Sequence, residues 1–406
     1  MLKIYLVGGY VRDKILNIKN HDKDYVVVGS CVQEMETLGF RSVGKSFPVF
    51  LHKEKEGDFA LARNEKKVGK KHFDFEFDTE NVSLKDDLKR RDFTINALAL
   101  DEENSEIIDY FGGVDDIKNK IIKPVSSAFC EDALRVLRAA RFKALLGNEW
   151  KFDKKCYEYA LRVKDELKFL SRERVYQETK KALLTKNPEL FFISLKEFDV
   201  LDVVFPWLHN LTKIIHNNIY HLEGSVFNHT MLALKLAKDD LNAAWCVLFH
   251  DVGKYSSYVE NGNFHKHYSE DIVNENFKEI EKTLSLSKEE LEISRFFALY
   301  HHRFHNVFEN SIKPSKIANI LFKVKSKKKL NSLLIASLAD MKGREGEKHK
   351  LLFSHEDILN IYEQLKKADY EVDHKSMGKE QIVSKISHKQ SHIIREYLNS
   401  ISHLRN

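Results

Sequence analysis

The chain has 406 residues, 43% hydrophobic and 31% charged, and its 66 Lys+Arg against 61 Asp+Glu give a formal net charge of +5. That length allows two to four domains with sizeable cores, and no apolar run approaches the ~18 residues of a membrane span, which excludes a helical membrane protein. Four scattered cysteines without a Cys-x-x-Cys pair (Cys31, Cys130, Cys156, Cys246) argue against a disulfide framework or a cysteine zinc site and for a reducing cytoplasm.

In chain order, Lys3 to Val7 reads as a short buried strand, Gly8 and Gly9 as a tight turn, and Tyr10 to Leu16 as a helix by its apolar spacing. Arg12 and Asp13 follow the apolar run so closely that a secretory signal is not expected. Free N–H groups at such a turn favour a phosphate. A second strand opens at Asp24, and the period of two sends Asp22 and Asp24 to one face with Lys23 turned away. Paired carboxylates repel unless a cation joins them, and magnesium is the hard cation that also suits phosphates. Further strand-like runs at Tyr25 to Val28, Val49 to His52, Phe59 to Ala62 and Ile107 to Tyr110 complete a small α/β region of about 110 residues.

Helical spacing dominates from Glu131 onward, in keeping with only 5 prolines and 16 glycines. Phe205-Pro206 and His216 to His221 read as a connector before a second helical unit and a Lys-rich tail. The charge runs from Glu65 to Lys71 and Lys323 to Lys329 read as solvated faces.

Two charged segments carry chemistry. In Asp86 to Ala99, Arg90 and Arg91 offer forked donors for phosphates, and Asp92 and Asn96 would share a helix face; a salt-bridged helix start is the bland alternative. In Glu131 to Phe142, Asp132, Arg135, Arg138 and Arg141 recur every third residue, so neighbours in the series can touch, though the stripe drifts round the helix. A carboxylate beside a guanidinium satisfies the amino donor and ring-nitrogen acceptor of cytosine or adenine. Uracil and guanine present the reverse order and would be rejected.

Gly8-Gly9-x-Val11-Arg12-Asp13, Asp22-x-Asp24, Leu88 to Leu98 and Glu131-Asp132-x-x-Arg135 together resemble the class II tRNA nucleotidyltransferases, the CCA-adding enzymes of the DNA polymerase beta superfamily. The likeness spans the whole chain and is strongest to the bacterial multifunctional branch with an added HD-type phosphohydrolase domain. It implies an α+β fold: a polymerase beta-like α/β head over 1–140, a helical neck and connector over 141–222, an HD domain over 223–345 and a helical tail over 346–406. It makes Asp22 and Asp24 catalytic magnesium ligands and puts Gly9, Arg12, Arg91, Asp132, Arg135, Arg138 and Arg141 at the nucleotide. Asp58 matches a third carboxylate. Cys130 and Ala133 depart from the family's Gly and Pro at a helix start, where Pro is favoured rather than required.

Ten of the 19 histidines fall between His209 and His305. His250-Asp251 follows an apolar helix, and with His229 and Asp340 it gives the His…His-Asp…Asp order of HD phosphohydrolases, whereas His21-Asp22 belongs to the first site. Mixed imidazole and carboxylate ligands suit nickel, manganese or cobalt, which generate hydroxide near neutral pH. His265-x-His267 and the i,i+4 pair His301 and His305 add to the set without assigned roles. The resemblance implies CTP, ATP and the tRNA 3′ end as partners, with no membrane, and a cytoplasmic monomer or homodimer. The basic stretch around Lys375 to Lys389 is a candidate RNA surface. The alternatives are a poly(A) polymerase-like enzyme and an HD-containing regulatory nucleotidyltransferase.

Overall fold

The computed structural model describes the chain except residues 1, 20–21, 44–48, 68–74, 80, 216–221, 345–349, 371–377 and 403–406, and describes 64–67, 75–78 and 402 by backbone alone. The sequence expectations for His21, for the stretch 216–221, for Lys70 and Lys71 and for Lys375 lie outside the described residues. The chain forms two compact units: Met1–Ala182 with Leu190–Val204, and Leu183–Glu189 with Phe205–Asn406.

The first unit is built on strands β1 (Lys3–Val7), β2 (Asp24–Val28), β3 (Arg41–Val43), β4 (Val49–Leu51), β5 (Asp58–Leu61), β8 (Leu98–Asp101) and β9 (Glu106–Asp109). They form one sheet in the order β3-β4-β5-β2-β1-β8-β9, while β6 (Asn64–Lys67) and β7 (Phe75–Asp78) pair antiparallel by themselves. Within the sheet β2 and β5 run parallel and the other neighbours antiparallel. Alternation of side chains gives the sheet two buried faces, one built on Tyr5, Val7, Val26, Ala97 and Ala99 and the other on Val27, Phe50, Phe59 and Leu61. A single row crosses the first face, with Ala99 opposite Val7, Val7 opposite Asp24 and Asp24 opposite Asp58. The register of the strands therefore brings two aspartates side by side from segments 34 residues apart.

Two local expectations change. After a short helix at Gly113–Lys118, the helix expected from Glu131 onward begins at Leu134: Ser127–Glu131 is a 3-10 turn and Asp132 is extended (φ −133°, ψ 106°). Ala133 adopts φ −57°, a value proline also takes, so the departure from the family pattern costs no backbone change. Asp92 and Asn96 also meet by another route. The helix Leu84–Lys89 has already ended, and a 3-10 turn over Thr94–Asn96 brings the Asn96 side-chain amide to donate to Asp92 Oδ1 at 3.2 Å.

The second unit is helical throughout its regular elements among the described residues. Pro206 starts a helix, Pro206–Asn210, as proline at a first helical position can, and the boundary between the two units falls between Val204 and Phe205. The helices Val226–Leu236, Leu241–Phe249, Lys288–Glu309 and Lys327–Lys342 bury Trp245, Phe249, Phe297, Phe304 and Leu334 among them. The tail helices belong to this unit. Tyr397 of Lys379–Ser402 donates its hydroxyl to Asp357 at 3.0 Å, and Ile394 is fully buried. No helix among the described residues is long and apolar enough to cross a membrane.

Two candidate active sites

In the first unit, the turn after β1 places Gly8 at φ 75°, where a Cβ would sit 2.9 Å from Arg91 Nη1. Only glycine fits that combination of left-handed backbone and close cation. The helix Gly9–Ile15 starts there and buries Arg12, whose Nε donates to Asp13 Oδ1 (2.8 Å) and whose Nη1 donates to Asn96 Oδ1 (2.7 Å). Burial pulls the Arg12 pKa down against the support of Asp13, and Arg141 adds to that pull.

Asp22 and Asp24 are exposed at the end of β2. Desolvation, with the nearby carboxylates of Asp58 and Asp22, raises the Asp24 pKa against Arg91. Three carboxylates thus share one neighbourhood beside a guanidinium, the arrangement that a divalent cation relieves. Arg91 is aimed by Asp87, whose Oδ2 accepts from its Nη2 at 3.3 Å, and Asp87 also holds Arg90 at 2.7 Å.

The arginines of Leu134–Leu146 do not pair along their own helix. Arg138 bonds Asp92 (2.6 Å), Arg141 bonds Glu178 (2.6 Å), and Arg135 donates to the carbonyls of Ala128 (2.9 Å) and Arg90 (2.8 Å). Asp132 accepts from the Leu134 backbone N–H (3.1 Å) and from Arg174 (2.6 Å). Each guanidinium reaches an acid or carbonyl from another segment rather than its neighbour in the series. Arg12, Arg138 and Arg141 do converge, with guanidinium carbons 5.1, 5.7 and 4.6 Å from the centre of the Phe142 ring. Such a crowd of cations is suited to a polyphosphate. Glu178 and Arg174, on Arg172–Leu183, were not anticipated; their segment reads only as a charged amphipathic helix, with no motif to mark it.

In the second unit, His250 caps the helix Leu241–Phe249 and Asp251 follows it into the break before Gly253–Asn261. His229 Nε2 lies 3.0 Å from Asp340 Oδ1, His250 Nε2 3.6 Å from the same oxygen and 3.1 Å from Asp251 Oδ2. All four expected residues are therefore together, and all are buried. Three more histidines join them: His305 Nε2 lies 2.9 Å from Asp340 Oδ2, and His267 and His301 lie 3.7 and 4.0 Å from Asp251 Oδ1. His265, the other half of the His-x-His pair, is exposed and outside the cluster.

The rings are oriented from behind. His250 Nδ1 faces the Val247 carbonyl (2.7 Å), His267 Nδ1 that of Phe264 (2.6 Å) and His301 Nδ1 that of Ala298 (3.2 Å), so each Nδ1 must carry a hydrogen and each Nε2 lone pair points inward. Burial pushes His267 down to about 4 and His301 well below the usual imidazole value, which keeps both neutral. Burial would also lower His229, but hydrogen bonds to Asp340 and Glu223 raise it to about 9. Burial likewise opposes ionised Asp251 and Asp340, yet the electrostatics of His250, with Lys254 for the first and His305 and Arg344 for the second, hold both well below the carboxylate range. Several short approaches lack hydrogen-bond geometry: His250 Nε2, His267 Nε2, His305 Nε2, both Asp251 oxygens and Asp340 Oδ2 make no hydrogen bond among the described residues. Buried lone pairs that converge without bonding one another fit a transition metal.

Residues 4–123 match the poly A polymerase head domain, and 151–212 match the probable RNA and SrmB-binding site of polymerase A. The chain is 40% identical over 356 residues to the multifunctional CCA protein of Shewanella denitrificans and 37% identical over 358 to that of Pasteurella multocida, covering 85% of this chain and of each relative. The solved CCA-adding enzyme of Thermotoga maritima in complex with tRNA is 20% identical with a TM-score of 0.62, covering 98% of this chain and 92% of that one, and shares its fold.

Proposed function

The chain belongs to the multifunctional CCA proteins, a family of tRNA nucleotidyltransferases that use divalent metal, and on that premise we propose that it adds and repairs the 3′-terminal CCA of tRNA from CTP and ATP without a nucleic-acid template. The observation that carries the reading is the register of Asp24 beside Asp58, with Asp22 adjacent, at the end of the Gly8-Gly9 turn. The relatives' shared name and the solved relative held with tRNA support the substrate.

Asp22 and Asp24 would hold magnesium, with Asp58 as a further carboxylate. The metal, when bound, would lower the pKa of the tRNA 3′-hydroxyl and neutralise charge on the triphosphate. Gly9 lets the backbone approach the phosphates, while Arg12, Arg91, Arg138 and Arg141 take up charge as the hydroxyl attacks the α-phosphate in line and pyrophosphate departs. Asp132 accepts from the exocyclic amine of C or A, and Arg135 donates to the ring nitrogen. For that, Asp132 turns its Oδ2 from Arg174 and Arg135 leaves its backbone carbonyls.

In the second site His229, His250, Asp251 and Asp340 would hold a transition metal, nickel before manganese or cobalt, which supplies hydroxide to a phosphate ester. The activities are those of a 2′,3′-cyclic phosphodiesterase, 2′-nucleotidase and phosphatase. The division into head (1–140), neck (141–222), HD domain (223–345) and tail (346–406), and action in the cytoplasm as a monomer or homodimer, complete the reading.

The test is incubation with tRNA lacking CCA, CTP and ATP, followed by 3′-end sequencing. Two C residues and one A are expected. Incorporation of A alone would replace this reading with a poly(A) polymerase.

A further inference from the structure

Four imidazoles of the helical centre are supported from behind, and one of them is supported differently. His250, His267 and His301 each face a backbone carbonyl three residues earlier through Nδ1. His229 Nδ1 instead lies between the Gly343 carbonyl, at 3.4 Å, and a carboxylate, Glu223 Oε1, at 3.5 Å. The Glu223 side chain is only 1% exposed. Local structure holds it there. Ser225 caps the helix Val226–Leu236 by accepting from the Asn228 backbone N–H at 3.2 Å, Gly224 turns through a left-handed φ of 85°, and the Asn228 side-chain amide donates to the Glu223 carbonyl at 2.9 Å. The chain thus doubles back before the helix and sets Glu223 against the imidazole just beyond its first residues. A carboxylate at a helix start sits in the favourable field of the free N–H groups, which offsets part of the cost of burying it.

Resting on the phosphohydrolase reading above, we infer that Glu223 is a positioning residue for the metal centre: its carboxylate keeps the His229 hydrogen on Nδ1, aims Nε2 inward and makes that nitrogen a stronger donor than its three carbonyl-backed neighbours. With two acceptors at Nδ1 the ring keeps a hydrogen there, so Nε2 is the nitrogen that an ion can take. Its placement fits that task. Nε2 lies 3.0 Å from Asp340 Oδ1, and His229, His250 and Asp340 bring one nitrogen or oxygen each within 4.8 Å of one another. A carbonyl polarises an imidazole as a dipole, whereas a carboxylate does so with a full charge, and burial leaves that charge poorly screened. The ring is drawn toward imidazolate character and becomes the more basic ligand. Glu223 therefore acts through His229 and not on the substrate.

The experiment uses the full-length chain carrying Asp22→Ala and Asp24→Ala, which removes the carboxylates proposed to hold metal in the head. Nickel affinity is read by calorimetry against a competing chelator, and coordination by the visible absorption of the cobalt-loaded protein. Adding Glu223→Gln keeps the size of the side chain and an oxygen acceptor but removes the charge. Nickel should then bind about tenfold more weakly and the cobalt bands should shift. The shorter Glu223→Asp keeps the charge but draws it back from Nδ1; it should weaken binding likewise, and stands in where circular dichroism shows the glutamine variant unfolded. Equal nickel affinity in parent and folded variant, or weakening with an unchanged cobalt spectrum, overturns the positioning role and leaves the phosphohydrolase reading standing. A parent chain that binds no ion overturns both.

Discussion

Asp22 and Asp24 stand exposed at the end of a central strand, whereas His250, Asp251 and Asp340 are sealed in a helical core. In the first unit, every arginine of the proposed nucleotide set is held by an acid, an amide or a carbonyl of the protein, such as Asp92 for Arg138 and Glu178 for Arg141. A site so arranged keeps its cations in place while a highly charged substrate comes and goes. The helical centre differs: His250, His267 and His305 Nε2, both Asp251 oxygens and Asp340 Oδ2 make no hydrogen bond among the described residues, and within the cluster only His229 Nε2 bonds Asp340 Oδ1 there. The proposed metals would thus meet different second layers, ion pairs at the first site and chiefly backbone carbonyls at the second.

The sharpest way to break this contrast is to remove one carboxylate or one imidazole. Asp24→Ala should cut incorporation of labelled CTP by at least ~10³-fold and leave hydrolysis of a 2′,3′-cyclic nucleotide intact, and His250→Ala should do the reverse. Loss of both activities in either folded variant would mean the sites are one system. Gly8→Ala forces a Cβ against Arg91 at a left-handed backbone position. It should lower kcat/KM for CTP by about 10–100-fold and stability by about 1 kcal/mol, measured by initial rates and urea unfolding.

Proton linkage separates the sites further. His229, raised to about 9, is protonated at neutral pH in the ion-free protein, so metal must displace that proton. Nickel affinity by calorimetry should strengthen about tenfold per pH unit from 6 toward 9. A flat profile would contradict the proton's place. In the head the sign reverses. Burial opposes ionised Asp87 and Asp92, but Arg91 and Arg90 for the first and Arg138 for the second hold their pKa values below the ordinary carboxylate value. The stability they contribute is complete above about pH 4 and is lost as pH falls through the folded values. Melting temperature of the head should therefore drop below pH 4, and Asp92→Asn should flatten that drop. The smallest expected effect is in Arg174→Ala, which frees the Asp132 carboxylate to swing. Discrimination against UTP should fall about tenfold in kcat/KM, with little change in melting temperature.

The sequence makes the chemistry of both sites readable where residues act within one motif. Gly8-Gly9, Asp22-x-Asp24 and His250-Asp251 lie where turn, strand and helix-end patterns put them. Asp58 was within reach only through a family pattern, because its neighbour is set by the pairing of β2 with β5. Partners across longer separations were invisible. Glu178 lies 37 residues from Arg141 and Arg174 lies 42 from Asp132, and nothing local marks either. The helix start at Leu134 escaped because Asp132 uses its carboxylate on the Leu134 N–H, a turn that competes with helix.

Gly253 follows the His250-Asp251 pair so closely that its α-carbon leaves no space for a methyl: a Cβ there would lie 2.1 Å from the His267 carbonyl oxygen and 3.0 Å from Ile272. Main chain therefore touches main chain between the helix break that presents Asp251 and the segment that presents His267. A wedge as small as alanine would pry these segments apart and move both presenting atoms at once. One shared main-chain contact therefore fixes the spacing of Asp251 and His267.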